Sequence, residues 1–242
     1  MSSDSADSQD PKDLLASTIS SLHKSGAYSD FKIVCGPEVF DVHKAIVCPQ
    51  SDFFRAACRT DTFKEGKTGI VTLSPNVERD LDAMELPPSA DEFDWDLDVE
   101  GTITIKLMID YFYHHDYPST PPAKDFEAVQ RTVAKESSFV KHARMYAMGE
   151  KYGVPGLKAL ALRKFKSLEG HSRVTYFELL LTVTIIFMRT PDTDRGLREE
   201  IADILYTYKV TEEEVVDLYV KQHPDLVYML YRKLVQDATK KN

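Results

Sequence analysis

Apolar and polar side chains alternate from Asp30 to Cys35 (D-F-K-I-V-C), the pattern of a half-buried strand. A turn at Gly36-Pro37 leads to a second strand, Val39 to Val42, so a β-hairpin with a short loop is expected. Ile70-Val71-Thr72-Leu73 reads as a third strand. Elsewhere the period is helical. Pro11 and Asp13 open a helix that Gly26 stops, with Leu14, Leu15, Ile19 and Leu22 on one face. His43 to Val47 starts a short helix that Pro49 interrupts, and Ser51 occupies an N-cap position before Asp52 to Arg59. Further helices are expected over Thr102–Tyr113, Phe139–Tyr152, Leu157–Leu168, Tyr176–Met188, Arg195–Tyr208 and from Pro224 to about Asp237. Thr211 and Glu214 form a capping box before another, Val215–Lys221.

Two stretches break the pattern. Pro75, Pro87 and Pro88 punctuate a segment ending in Glu92-Phe93-Asp94-Trp95-Asp96-Leu97-Asp98-Val99-Glu100, a strict alternation of acid and apolar residue. A second Pro-containing linker follows Tyr117-Pro118. The acidic segment carries the charge of the whole chain: ten acids and Arg79 alone lie between Glu78 and Glu100, which accounts for the net −9. The neutral remainder offers no electrostatic footprint for a phosphate backbone, so direct nucleic-acid binding is not expected. No apolar stretch follows a basic N-terminal segment, and the longest apolar run, Tyr176 to Met188, falls short of the roughly 20 residues that span a bilayer. Neither a leader nor membrane association is therefore expected. Three cysteines at irregular spacing supply no disulfide framework, which points to a reducing compartment, cytosol or nucleus.

The segment from Asp30 through Phe40-Asp41-Val42-His43-Lys44 to Ser51-Asp52-Phe53-Phe54-Arg55 resembles the BTB/POZ domain family. That family has an aspartate-led strand, an F-x-V-H-K segment and an S-x-F-F-R turn into a helix. Ala143-Arg144-Met145-Tyr146-Ala147-Met148-Gly149-Glu150-Lys151-Tyr152-Gly153-Val154 resembles the family's closing helix, with Gly149 where alanine is frequent. The two inserts resemble those of fungal BTB proteins that consist of little else. The resemblance implies an α/β (α+β) fold, a small mixed sheet flanked by helices. It also implies a division into a tail (1–12), a BTB/POZ domain (13–170, inserts near 75–100 and 118–137) and a helical extension (171–242). Asp30, His43, Phe53, Phe54, Tyr146 and Tyr152 would be its structural signature residues.

The family's function is protein–protein association. The first helix aligns with its dimerisation helix, so Leu14, Leu15, Ile19 and Leu22 are expected either at a partner subunit or in the chain's own core. Phe63-Lys64-Glu65 resembles the hydrophobic-x-Glu motif of BTB adaptors that recruit a cullin, with Phe63 and Glu65 as contacts; the other reading is an ordinary loop anchored by a buried Phe. The alternation Phe93, Trp95, Leu97, Val99 reads as an internal edge strand with its acids in water, as a docking segment for a partner's sheet edge, or as a disordered insert. No nucleophile elbow, P-loop, dinucleotide fingerprint or zinc-protease motif occurs, so no catalytic residues and no cofactor are expected. Cys35, Cys48 and Cys58, near His43, lack the paired spacing of zinc ligands. Neighbouring His114 and His115, with Asp116, point about 100° apart on a helix. No metal is expected.

Overall fold

The computed structural model describes residues 10–59, 63–73, 99–118, 138–168, 175–209, 217 and 220–240. Among these residues the sheet has three strands in the order β2-β1-β3, with β1 (Phe31–Cys35) at the centre, β2 (Glu38–Val42) antiparallel to it and β3 (Ile70–Leu73) parallel. The hairpin turn carries Gly36 at φ +55°, a conformation glycine adopts without Cβ strain. Phe31, Ile33 and Cys35 alternate with more exposed neighbours and bury one face of β1, while Val71 and Leu73 do the same on β3. A parallel pair needs a long crossover, and three short helices supply it: α2 (Lys44–Val47), α3 (Asp52–Ala57) and α4 (Lys64–Thr68).

Helix α1 (Pro11–Ser25) begins at Asp10, whose side chain accepts from the Lys12 backbone N–H, and ends at Gly26 in the left-handed conformation. It lies against α5 (Thr102–His114), whose N-cap residue is Gly101. α5 is apolar on most sides, burying Ile105, Met108, Ile109, Tyr111, Phe112 and Tyr113. Helices α6 (Ser138–Lys151) and α7 (Pro155–Lys166) pack closely on each other. An ideal Cβ on Gly149 would lie 2.7 Å from the Lys158 backbone nitrogen, so the missing side chain is what lets α7 come this close.

The remaining described helices are α8 (Tyr176–Arg189), α9 (Gly196–Thr207) and α10 (Pro224–Lys240). α8 opens with a capping box in which Thr175 and Glu178 satisfy each other's backbone N–H. It packs across α6, and α10 packs on α9. Leu180, Ile186, Leu197, Ile201 and Leu226 join one core with the sheet and α5 to α7. Arg198 of α9 is 1% exposed and ties this region together. Its guanidinium donates to the Thr190 carbonyl (2.7 Å), the Phe187 carbonyl (3.3 Å), Asp192 (3.2 Å) and Asp225 of α10 (3.2 Å), and it stacks on the Phe187 ring. Among the described residues no helix is long and apolar enough to cross a membrane. The capping box at Thr211 and Glu214 lies outside the described residues.

Candidate functional site

The signature residues form the internal frame of the domain. Asp30 accepts the Lys44 backbone N–H at 2.8 Å and so fixes the exit from the hairpin. The His43 ring sits between an acceptor on one side and a donor on the other. The Ala27 carbonyl, 2.7 Å from Nε2, can only accept, so in the neutral ring Nε2 donates and Nδ1 takes the Tyr113 phenolic hydrogen at 2.6 Å. The same phenol oxygen accepts the His43 backbone N–H at 3.0 Å. His43 is therefore a structural clasp joining the α1–β1 connection, the end of β2 and α5. Burial pushes the Tyr113 phenol up from its usual value.

Phe54 is fully buried, stacked on Tyr152 and edge-on to Phe31 and Phe112; Phe53 beside it is partly exposed and packs edge-on against Tyr152. The Tyr152 hydroxyl donates to the carboxylate of Glu100, which also pairs with Lys151. Tyr146 donates to Asp194 at 2.7 Å, and Lys158 meets the other carboxylate oxygen at 2.8 Å. Burial, then the bond to Asp194, pushes the Tyr146 phenol up to about 12. Burial alone would raise Asp194, yet the hydrogen bonds from Lys158 and Tyr146 outweigh it and hold the carboxyl below the usual range. This cluster attaches the α8–α9 connection to the pair α6 and α7.

Among the described residues, two of the surfaces singled out in the sequence carry exposed apolar side chains. On α1 the four apolar residues divide. Leu14 and Leu15 are 56% and 63% exposed, Leu22 is half-buried, and Ile19 packs against the chain's own core. The stripe is divided between the two places its pattern allowed, the chain's own core for Ile19 and an open face for Leu14 and Leu15. No residue of α1 is fully buried. The second surface is the start of α4. Phe63 is its N-cap residue and 46% exposed, so it is not a buried loop anchor; Glu65, half-buried in the first turn, accepts the Gly69 backbone N–H through its carbonyl. On α10, Tyr228, Tyr231, Leu234 and Val235 are also exposed, an apolar face not singled out in the sequence.

Phe93, Trp95 and Leu97 lie outside the described residues. Val99 is 4% exposed in the core, so it does not serve as a docking contact, and Glu100, expected in water, is equally buried. The cluster His114, His115, Asp116 does not converge. His115 leaves the helix at φ +52° and packs against Tyr111, while Asp116 pairs with Lys164 at 2.6 Å. Cys48 and Cys58 do come together, their sulfurs 2.8 Å apart in a hydrogen bond, and burial followed by that bond pushes the Cys48 thiol up to about 12. A thiol so held is a weak nucleophile.

Residues 19–84 match the family model of the BTB/POZ domain, a span that takes in the hairpin, His43, α2 to α4 and β3. No curated protein matches the chain. With the mixed sheet, the aromatic frame around Phe54 and the Ser51-capped helix in their expected places, the chain carries a BTB/POZ domain, a protein–protein interaction module.

Proposed function

We propose that the protein is a homodimerising scaffold in which two copies meet through α1. The observation that carries this reading is the exposure of Leu14 and Leu15 on a helix with no fully buried residue. Each large side chain moved from water to an apolar contact contributes about 1.5–3 kcal/mol. Four such leucines across a twofold axis would add up to a stable contact, with Ile19 and Leu22 holding the helix on α5. The test is Leu14→Asp with Leu15→Asp, followed by light scattering and circular dichroism. A dimeric wild type and a folded monomeric double variant support the reading. A wild-type protein that is monomeric at all accessible concentrations removes it.

A second reading is that of an adaptor recruiting a cullin through Phe63 and Glu65. It is favoured by the exposure of Phe63 at the head of α4. Phe63→Ala should leave the melting temperature nearly unchanged and abolish retention of the cognate cullin. Wild-type protein that retains no cullin ends this reading and leaves the scaffold reading untouched.

A further inference from the structure

Three potential metal ligands meet at the contact of α1 with α5, and of them only His114 belongs to the histidine cluster suggested by the sequence. Asp110 and His114 are four residues apart on α5, so both project from one face of that helix. His23 comes from the last turn of α1. The ligating atoms of the three all lie within 4.8 Å of one another, and His23 Nε2 is 3.8 Å from Asp110 Oδ1. We propose that His23, Asp110 and His114 form a binding site for a divalent transition-metal ion of the zinc class, which fastens α1 to α5.

The orientation of the rings supports this. His114 Nδ1 lies 2.9 Å from the backbone carbonyl of Asp110, which can only accept, so Nδ1 carries the hydrogen and donates. In the neutral ring that leaves the Nε2 lone pair unprotonated. Nε2 is 3.4 Å from the hydroxyl of Ser20, one turn before His23 on α1, so the lone pair faces the neighbouring helix. A ligating histidine ordinarily has its second nitrogen fixed by a carbonyl or carboxylate in this way. His23 is held too: its ring stacks on Tyr113 at 4.4 Å and 9° and leans on the His114 ring at 5.3 Å.

Two imidazoles and a carboxylate suit zinc, cobalt, nickel or copper better than magnesium or calcium, which take oxygen ligands. Zinc bonds to nitrogen and oxygen of about 2.0–2.2 Å put tetrahedral ligand atoms roughly 3.4 Å apart, so the three side chains close on an ion by about 1 Å of rotamer movement. Three protein ligands leave a fourth position, reached from solvent past His114, which is exposed. Lys106, one turn before Asp110, is exposed and opposes an added cation, and Asp110 offsets one of the two charges that arrive. The pattern D-x-x-x-H at 110–114 is visible in the sequence; His23, in another helix, gives no such cue.

The experiment is a titration of the full metal-stripped chain with zinc by calorimetry and with cobalt by visible absorption. One equivalent of each, the intense cobalt bands of a four-coordinate site and a zinc-dependent rise in melting temperature are expected. His23→Gln and His114→Gln should each abolish the bands and the rise, while His115→Gln retains both. Asp110→Asn, which keeps the shape of the side chain, should weaken binding at least tenfold and covers the case in which a histidine variant does not fold. No saturable equivalent in the wild type, or bands that persist in folded His23→Gln or are lost in His115→Gln, would overturn the proposal.

Discussion

Ser51 and Tyr152 are joined across 101 residues of sequence by a 2.7 Å hydrogen bond from the serine hydroxyl to the tyrosine backbone carbonyl. The same oxygen accepts the Phe54 backbone N–H at 3.1 Å, so one fully buried hydroxyl caps α3 and holds the end of α6. The two sequence blocks that resemble the BTB/POZ family, S-D-F-F-R and K-Y-G-V, touch at this atom. Asp52 reinforces the junction by donating its backbone N–H to the Gly153 carbonyl at 3.1 Å.

Ser51→Ala removes both bonds without adding volume. Loss of an N-cap costs about 0.5–2 kcal/mol and a buried group left without its partner about 1–3 kcal/mol. A destabilisation of roughly 2–3 kcal/mol is expected from urea unfolding. A change under about 0.5 kcal/mol, the range of an ordinary surface substitution, would mean that the junction is not formed in solution.

Gly149→Ala separates two opposing effects. In an isolated helix alanine is better than glycine by about 1 kcal/mol. Here the new methyl would sit 2.7 Å from the Lys158 nitrogen and 2.9 Å from its Cα, atoms of a backbone that cannot swing aside. Overpacking of this kind costs about 1–3 kcal/mol, so the variant should be less stable despite its better helix former. A raised melting temperature would contradict the close approach of α6 and α7.

What the sequence made legible were features with a local cause. Ile70 to Leu73 alternates exposed and buried positions along an edge strand, and Ser51 announces its helix by chemistry at short range. Helix α4, K-E-G-K-T, carries no apolar period. It depends on Gly69 in the left-handed conformation and on its position before β3, neither of which pattern reading detects. Arg198 and Glu100 were illegible for a related reason. Charges in an amphipathic helix or an acidic run are read as solvated faces, and contacts made by other elements, the α8–α9 connection and Asp225 for one and Tyr152 with Lys151 for the other, keep them in the interior. The α1 stripe was legible as a stripe. Its division between α5 and solvent depended on where α5 lay.

Arg198→Met tests the interior of the C-terminal helices. Methionine fills much of the volume but leaves the carbonyls of Phe187 and Thr190 without their donor, while Asp192 and Asp225, both substantially exposed, regain water. The cost therefore falls on the carbonyls and the lost packing on Phe187, about 2–4 kcal/mol. Arg198→Lys should be nearly as harmful, because one ammonium cannot reach donors' targets spread over α8, the α8–α9 connection and α10. Equal stability of the lysine variant and the wild type would show that charge alone, without the fork, suffices.

The last prediction concerns acid. His142 is 1% exposed and its Nδ1 lies 2.8 Å from the Tyr117 hydroxyl, which donates to it in the neutral ring. Burial, then the positive charges of Lys164 and Lys141, lowers His142 from 6.5 to about 4. Protonation would turn Nδ1 into a donor, oblige the phenol to reverse, and place a third positive charge beside these lysines. Between pH 6.5 and 4 the unfolded chain therefore binds a proton here that the folded chain refuses. Stability is complete above pH 6.5, falls as the pH drops towards 4, and loses nothing further from this group below that, a total on the order of 3 kcal/mol. His142→Asn retains an acceptor for Tyr117 without titrating. Urea midpoints of wild type and variant, compared across this window, should converge as the pH falls. Parallel curves would show that His142 does not resist protonation in the folded protein.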